Sequence, residues 1–194
     1  RARAKKLTSE QKVSVKRISE SEGDNKIFLL DGVTGSGKTE VYLRCIKELV
    51  QKGKQALVLI PEIGLAPQVE SRFKELFGIR VASFHSAKSD RERLDVWLGA
   101  EKGLYDIVIG TRSSVFIPMK NLGMIVVDEE HDTSYKQDQL PRYHARDVAV
   151  RRAQIPETYY PSLVNQVPER WIMDTGSALD VVGLQDMVEG DVAR

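Results

Sequence analysis

Gly32-Val33-Thr34-Gly35-Ser36-Gly37-Lys38-Thr39 is a glycine-rich octapeptide closed by Lys-Thr, set between an apolar run and a segment of helical periodicity. Upstream, Ile27-Phe28-Leu29-Leu30 reads as a buried strand; downstream, Val41, Cys45, Ile46 and Leu49 recur at the spacing of one helix face. The pattern G-x-x-x-x-G-K-[ST] at a strand-to-helix junction is that of a phosphate-binding loop. Glycines let the backbone wrap an anion so that N–H groups and the positive end of the helix face it. On this reading Gly32, Thr34, Gly35, Ser36 and Gly37 form the cradle, Lys38 reaches the β- and γ-phosphates, and the Thr39 hydroxyl ligates magnesium. ATP and Mg2+ are the expected cofactors. The alternative, a glycine-rich turn with a chance lysine, leaves the flanking strand and helix unexplained.

Working outward, five apolar runs alternate with helix-like segments: Ile27–Leu30, Ala56–Ile60, Val81–Phe84, Asp106–Ile109 and Met124–Val127. That alternation predicts an α/β fold with a mostly parallel sheet and helices on both faces. Val69, Phe73, Leu76 and Phe77 share one helical face, and Leu94, Trp97 and Leu98 share another, with Trp97 expected as a core anchor. Ser89-Asp90-Arg91-Glu92 has capping-box spacing, so a helix is expected to start at Ser89.

The run Met124–Val127 ends in Asp128-Glu129-Glu130-His131, which puts two acids at the carboxyl edge of the sheet, where open α/β folds bind ligands. Asp128 is expected to hold magnesium, Glu129 to orient or deprotonate the attacking water, and His131 either to couple the γ-phosphate state to a nucleic-acid side by hydrogen bonding or to serve structure. An acidic cap that merely solvates a loop is the competing reading.

The whole chain of 194 residues is 41% hydrophobic and 29% charged, enough for one sizeable core. With 29 basic and 28 acidic residues the net charge is +1, so any nucleic-acid site must be a local patch. A lone cysteine, Cys45, excludes an internal disulfide framework and a multi-cysteine zinc site. No run approaches the roughly 18 apolar residues of a membrane span, and a cytoplasmic protein without a membrane partner is expected. The chain opens on Arg1, which suggests a piece of something longer. Residues 1–6 read as a basic arm and 7–153 as the folded unit; from Gln154 the pattern decays among Pro156, Pro161 and Pro168, and 154–194 is left unassigned.

Gly32–Leu43 together with Asp128–His131 resembles the superfamily 2 helicases. Pro61–Gln68, His85-Ser86 and Gly110-Thr111-Arg112-Ser113 look like further motifs of that group. Ser134-Tyr135-Lys136-Gln137 followed by Arg142–Asp147 narrows the resemblance to the primosomal replication-restart helicases over about residues 7–153. The resemblance implies a RecA-like P-loop NTPase lobe, the first of two, from a DNA helicase that moves 3′ to 5′ by ATP hydrolysis. Gln11 resembles an adenine-reading glutamine, and it is equally placed to complete a capping box with Thr8. Gly64, Pro67, Gly110, Thr111 and Arg112 would line a track for single-stranded or forked DNA through phosphate contacts. Tyr135, Lys136, Tyr143 and His144 fall in a segment like the aromatic-rich loop that links DNA occupancy to hydrolysis, where rings can stack bases.

Primosome proteins and single-strand-binding protein are the partners the resemblance implies. A second lobe with an arginine finger and the family's zinc cysteines are expected outside this stretch. The family would next show a strand ending in Ser-Ala-Thr, and only Gly176-Ser177-Ala178 offers itself, with no convincing strand before it. A P-loop ATPase acting on non-DNA partners and a nonhydrolysing nucleic-acid-binding fragment are the rival readings.

Overall fold

The chain enters its first helix, α1 (Ser9–Glu20), through a reciprocal pair of bonds: the Gln11 amide N–H donates to Thr8 Oγ1 at 3.2 Å, and Thr8 N–H donates to Gln11 Oε1 at 2.9 Å. Two otherwise unsatisfied donors at the helix start are thereby paired. The computed structural model describes residues 6–21, 26–33, 35–61, 67–78, 80–154 and 170–175.

Beyond α1 the elements alternate as β1 (Lys26–Asp31), α2 (Lys38–Gln51), β2 (Gln55–Leu59), α3 (Pro67–Phe77), β3 (Val81–Phe84), α4 (Asp90–Glu101) and β4 (Ile107–Gly110). A 3-10 turn (Arg112–Phe116) leads to β5 (Leu122–Val127), and a second (Thr133–Tyr135) leads to a hairpin of β6 (Lys136–Gln137) and β7 (Tyr143–His144). Helix α5 (Ala145–Gln154) and strand β8 (Arg170–Thr175) complete the described elements.

The main sheet runs β1-β8-β5-β2-β4-β3 with every pairing parallel. Strands β2 and β5 are buried at every position, as a parallel sheet covered on both faces requires. The two-residue period divides β2 cleanly. Ala56 and Val58 join Ile18, Val41, Ile46, Leu49 and Phe73 on the face covered by α1, α2 and α3. Leu57 and Leu59 join Val96, Ala100, Val115, Tyr135, Ala145 and Ala149 on the face covered by α4 and α5. Each fully buried aliphatic side chain contributes about 1.5–3 kcal/mol, so these two layers dominate stability. Glycine inside β5 has a packing reason: a Cβ on Gly123 would lie 2.9 Å from Leu49 Cδ1 and 3.0 Å from Lys54 Cβ.

Helix α4 starts as its capping box predicts, with Ser89 as N-cap and Glu92 closing the pair. Its burial differs from expectation. The covered face is Val96, Gly99 and Ala100, while Leu94 is 55% and Leu98 39% exposed; Trp97 is half-buried against Phe84 at a ring separation of 6.4 Å. Gly99 allows the Tyr105 ring to approach to 2.5 Å of where a Cβ would stand. On α3, Phe73 is the buried anchor and Phe77 stacks beside it at 5.8 Å, whereas Leu76 is exposed.

The larger correction concerns the segment after Gln154. Arg170–Thr175 is a strand, and it occupies the slot between β1 and β5, with Ile172 in register with both Phe28 and Val126. Its apolar core is only Trp171-Ile172-Met173, flanked by Arg170 and Asp174, too short to announce itself in a proline-punctuated stretch. Two neighbouring strands supply its backbone partners. Gly176-Ser177-Ala178, directly after it, lies outside the described residues.

Candidate nucleotide-binding site

The phosphate loop connects β1 to α2, and two of its glycines adopt the left-handed backbone that L side chains avoid: Gly35 at φ +82° and Gly37 at φ +86°. Gly37 is the N-cap of α2, and no side chain caps that helix end, which leaves it suited to an anion. A Cβ on Gly37 would stand 2.5 Å from Gln11 Nε2, and one on Gly32 would stand 2.8 Å from Ser36 Oγ. Lys38 is buried to 7% exposure, and its ammonium donates to Gly32 O at 2.5 Å and lies 3.5 Å from Val33 O. The cation is therefore held over the loop by carbonyls that a phosphate can replace. Thr39 is half-buried in the first turn of α2; Thr34 lies outside the described residues.

Gln11 serves two ends at once. While Oε1 closes the cap on Thr8, Nε2 donates to Ser36 O at 2.9 Å, so the first helix is pinned to the phosphate loop. The capping arrangement that the sequence left open is present, and the same amide touches the nucleotide loop.

Across the β8 slot, Asp128 follows β5, its N–H donating to Leu59 O at 2.9 Å. Its carboxylate Oδ2 accepts from the Tyr42 hydroxyl at 3.2 Å, which ties the end of β5 to α2. Glu129 has φ +49°, a conformation that costs a non-glycine residue and turns the chain sharply. His131 Nε2 is 3.7 Å from Glu129 Oε2, and both side chains are partly exposed. Glu130 accepts from Arg146 Nη1 at 3.0 Å, so the acidic turn is tied to α5.

Among the described residues no group of three or more His, Cys, Asp or Glu gathers to cage a metal. Magnesium does not need one, since it is commonly held by one or two carboxylates together with substrate phosphates and waters. Asp128 and Thr39 carry a carboxylate and a hydroxyl, the oxygen donors such a site would use.

The segment from Ser134 to His144 divides its aromatic residues. Tyr135 is fully buried in the cluster with Leu59, Val127, Ala145 and Ala149, and its hydroxyl donates to Asp128 O at 2.6 Å. Burial, with the nearby Asp128 charge second, raises its phenol pKa and keeps it a neutral donor. A ring with no exposed face cannot stack a base, so the expectation of Tyr135 as a DNA contact is corrected: sequence shows that a tyrosine is there, and packing decides which way it turns. Tyr143, eight positions on, is half-buried and meets the 46%-exposed Phe116 edge-on at 5.0 Å. Phe116 escaped the sequence reading because it follows the Gly110–Ser113 motif and carries no polar signal of its own.

Arg112 directs Nη1 to Ser134 O at 3.2 Å and Lys136 O at 2.6 Å, bracing the turn that holds Tyr135. Thr111 is buried beside it. Gly110 is obligatory for packing, because a Cβ there would fall 1.8 Å from Ser114 Oγ and 2.6 Å from Phe84 O. Lys136 is exposed and pairs with Asp138 at 3.0 Å. His144 accepts at Nδ1 from the Arg146 N–H at 3.3 Å, and burial together with the Arg146 charge lowers its pKa. A cavity of about 670 Å³ opens among Lys136, Arg142, Tyr143, His144 and Asp147. Pro67 begins α3, and Gly64 lies outside the described residues.

A family model described as DEAD/DEAH box helicase matches residues 8–158, which span the phosphate loop, the Asp128 turn and the tyrosine segment. The chain belongs to the DEAD/DEAH box helicase family. Among curated proteins, "Replication restart protein PriA" of Bacillus subtilis (strain 168) is 50% identical over 150 residues, covering 76% of this chain and 19% of that protein. The protein of the same name from Haemophilus influenzae is 51% identical over 148 residues, covering 76% of this chain and 20% of its own length. The chain thus spans about a fifth of the length of the curated relatives it matches. Solved structures agree on the helicase lobe fold. RecG bound to a three-way DNA junction superposes with a TM-score of 0.64 at 24% identity, over 90% of this chain and 21% of that one. The DUF1998 helicase MrfA bound to DNA and AMPPNP gives 0.61 at 18% identity, over 95% and 26%. No described helix is long and apolar enough to cross a membrane.

Proposed function

We propose that this chain is the ATP-binding first motor lobe of a DNA helicase that restarts replication, moving 3′ to 5′ when joined to a second lobe. The observation that carries the proposal is the tie between Tyr42 and Asp128. The helix that begins at Lys38 and the carboxylate that follows β5 form one braced unit, as a site for a magnesium nucleotide needs. Half identity to two replication restart proteins supports the cellular role, and the DNA-bound helicases of similar fold support DNA as the polymer.

In this reading Lys38 leaves the carbonyls of Gly32 and Val33 to neutralise phosphate charge, while the backbone around Gly35 and Gly37 encloses it. Bound magnesium would neutralise charge on the transferring phosphoryl group; Thr39 and Asp128 would hold it. Glu129, carried outward by its turn, accepts the proton of the attacking water, and His131 beside it reports on the occupied site. Gln11 reads the adenine edge from its seat on Ser36. Gly64, Pro67, Gly110, Thr111 and Arg112 line the track of a single strand, with Lys136, Tyr143 and His144 beyond them. Primosome proteins and single-strand-binding protein are the proposed partners of the complete enzyme, whose zinc site belongs to other parts of that longer chain.

The test separates the two carboxylates. In the complete enzyme Glu129→Gln binds ATP normally and hydrolyses it about 100-fold more slowly or worse, because an amide cannot take the proton. Asp128→Asn shifts the magnesium requirement. Identical phenotypes would reject this division of roles, and a hydrolysis rate indifferent to added DNA would favour a non-DNA ATPase. The 194-residue lobe alone hydrolyses ATP slower by about 10³–10⁵, the contribution of an arginine finger from an opposing wall.

A further inference from the structure

Tyr42 lies one turn beyond Lys38 on α2 and is 2% exposed, a member of the buried cluster on the α1–α3 face. A buried tyrosine ring is ordinary core. Its hydroxyl is not, because a buried O–H needs a partner, and this one donates to a carboxylate at the edge of the nucleotide site. Phenylalanine would fill the same volume without that bond. The bond therefore has a consequence beyond packing, or none at all.

The geometry favours a consequence. Asp128 is gripped at three points from three elements: its N–H by Leu59 O of β2 at 2.9 Å, its C=O by the Tyr135 hydroxyl at 2.6 Å, and its carboxylate Oδ2 by Tyr42 at 3.2 Å. The first two hold the backbone. Only the Tyr42 bond among these acts on the side-chain torsion that aims the carboxylate. A carboxylate offers about four lone-pair sites, so a bond accepted at Oδ2 orients the group without exhausting it. Outer bonds of this kind commonly fix a metal-binding side chain, and losing one typically lowers metal affinity about 10–100-fold.

We propose that Tyr42 is a positioning residue that aims the Asp128 carboxylate at the magnesium of the bound nucleotide, and that it locks that carboxylate to the helix carrying Lys38. The inference rests on the reading of Asp128 as a magnesium-holding group. It makes the metal and phosphate halves of the site move as one body, since the donor rides on α2 itself. The carboxylate is thus already held in place when phosphate reaches the amino end of α2.

Calorimetric titration of ATP into the 194-residue chain, once with excess magnesium and once with EDTA, reads the effect as the ratio of the two affinities. Tyr42→Phe keeps the EDTA affinity within about twofold and cuts the magnesium-dependent gain about tenfold. In an Asp128→Asn background the same substitution adds nothing, because its route to the metal is gone. Tyr135→Phe, which touches only the Asp128 backbone, costs less of the magnesium gain. An unchanged magnesium gain in a Tyr42→Phe protein with a normal thermal melt overturns the inference, as does a full additional loss in the Asp128→Asn background. If the unmodified chain binds ATP in neither buffer, or if Lys38→Ala binds it as well as the unmodified chain, the phosphate-loop reading itself falls and the inference with it.

Discussion

The loop at Gly32–Thr39 and the segment Asp128–Asp147 both line the same end of the sheet, yet they are built by different rules. The first is assembled locally. Two glycines at positive φ, a lysine one residue inside the helix and a strand immediately before it specify the shape within a dozen residues. The second is assembled from a distance: Arg112 holds the turn at Ser134 and Lys136, Tyr135 reaches back to Asp128, and Arg146 reaches Glu130. Substitution in the first region should therefore damage ligand binding and spare the fold, while substitution in the second should mix the two.

Lys38→Ala tests the local side most severely. It abolishes measurable ATP binding by calorimetry, with little change in denaturant stability, because it removes a phosphate counter-charge and leaves the loop backbone intact. Unchanged affinity would erase the distinction between the regions.

Tyr135→Ala tests the distant side. Emptying a fully buried aromatic site costs about 3–5 kcal/mol in a urea titration, and the effect should appear without any nucleotide. A stable Tyr135→Ala chain that loses only DNA response would restore that ring to the surface role the sequence suggested.

Tyr143→Ala sharpens the contrast within one segment. In the complete enzyme it weakens single-strand affinity by about 1–3 kcal/mol if the ring stacks a base, and Phe116→Ala, its edge-on neighbour, follows it. Both leave the ATPase rate without DNA close to the parent value. A comparable loss of the DNA-free rate would mark a folding defect instead.

The smallest effect is on pH. Burial and Arg146 lower the folded pKa of His144, so the unfolded chain binds the proton first as pH falls. Stability from this residue is complete above about pH 6.5, its unfolded value, and is lost as pH falls through the folded one. Protonating Nδ1 also ends its acceptance from the Arg146 N–H. Hydrogen exchange at the start of α5, corrected for intrinsic rate, rises on acidification in the parent chain and loses that pH dependence in His144→Gln.

The sequence alone determined the alternating α/β order, the strand positions from β1 to β5 and the helix start at Ser89, because each rests on contacts within a few residues: a capping box, a two-residue period, a glycine that must take positive φ. It also placed Lys38 and Asp128 on consecutive halves of one site, since each ends or begins a regular element at the same sheet edge. Only the tertiary structure decided the rest. Arg170–Thr175 becomes a strand because β1 and β5 each present it with backbone partners, which no periodicity in three apolar residues could announce. Tyr135 is fully buried and Tyr143 only half-buried because Tyr135 joins the cluster of Ala145, Ala149 and Ala153, where the Asp128 carbonyl receives its hydroxyl. Leu94 and Leu98 face outward because α4 approaches the sheet through Gly99 and Ala100. Local chemistry writes torsion angles and caps into the chain directly, whereas the choice of which of two similar side chains is buried depends on a cavity that exists only once distant segments have met.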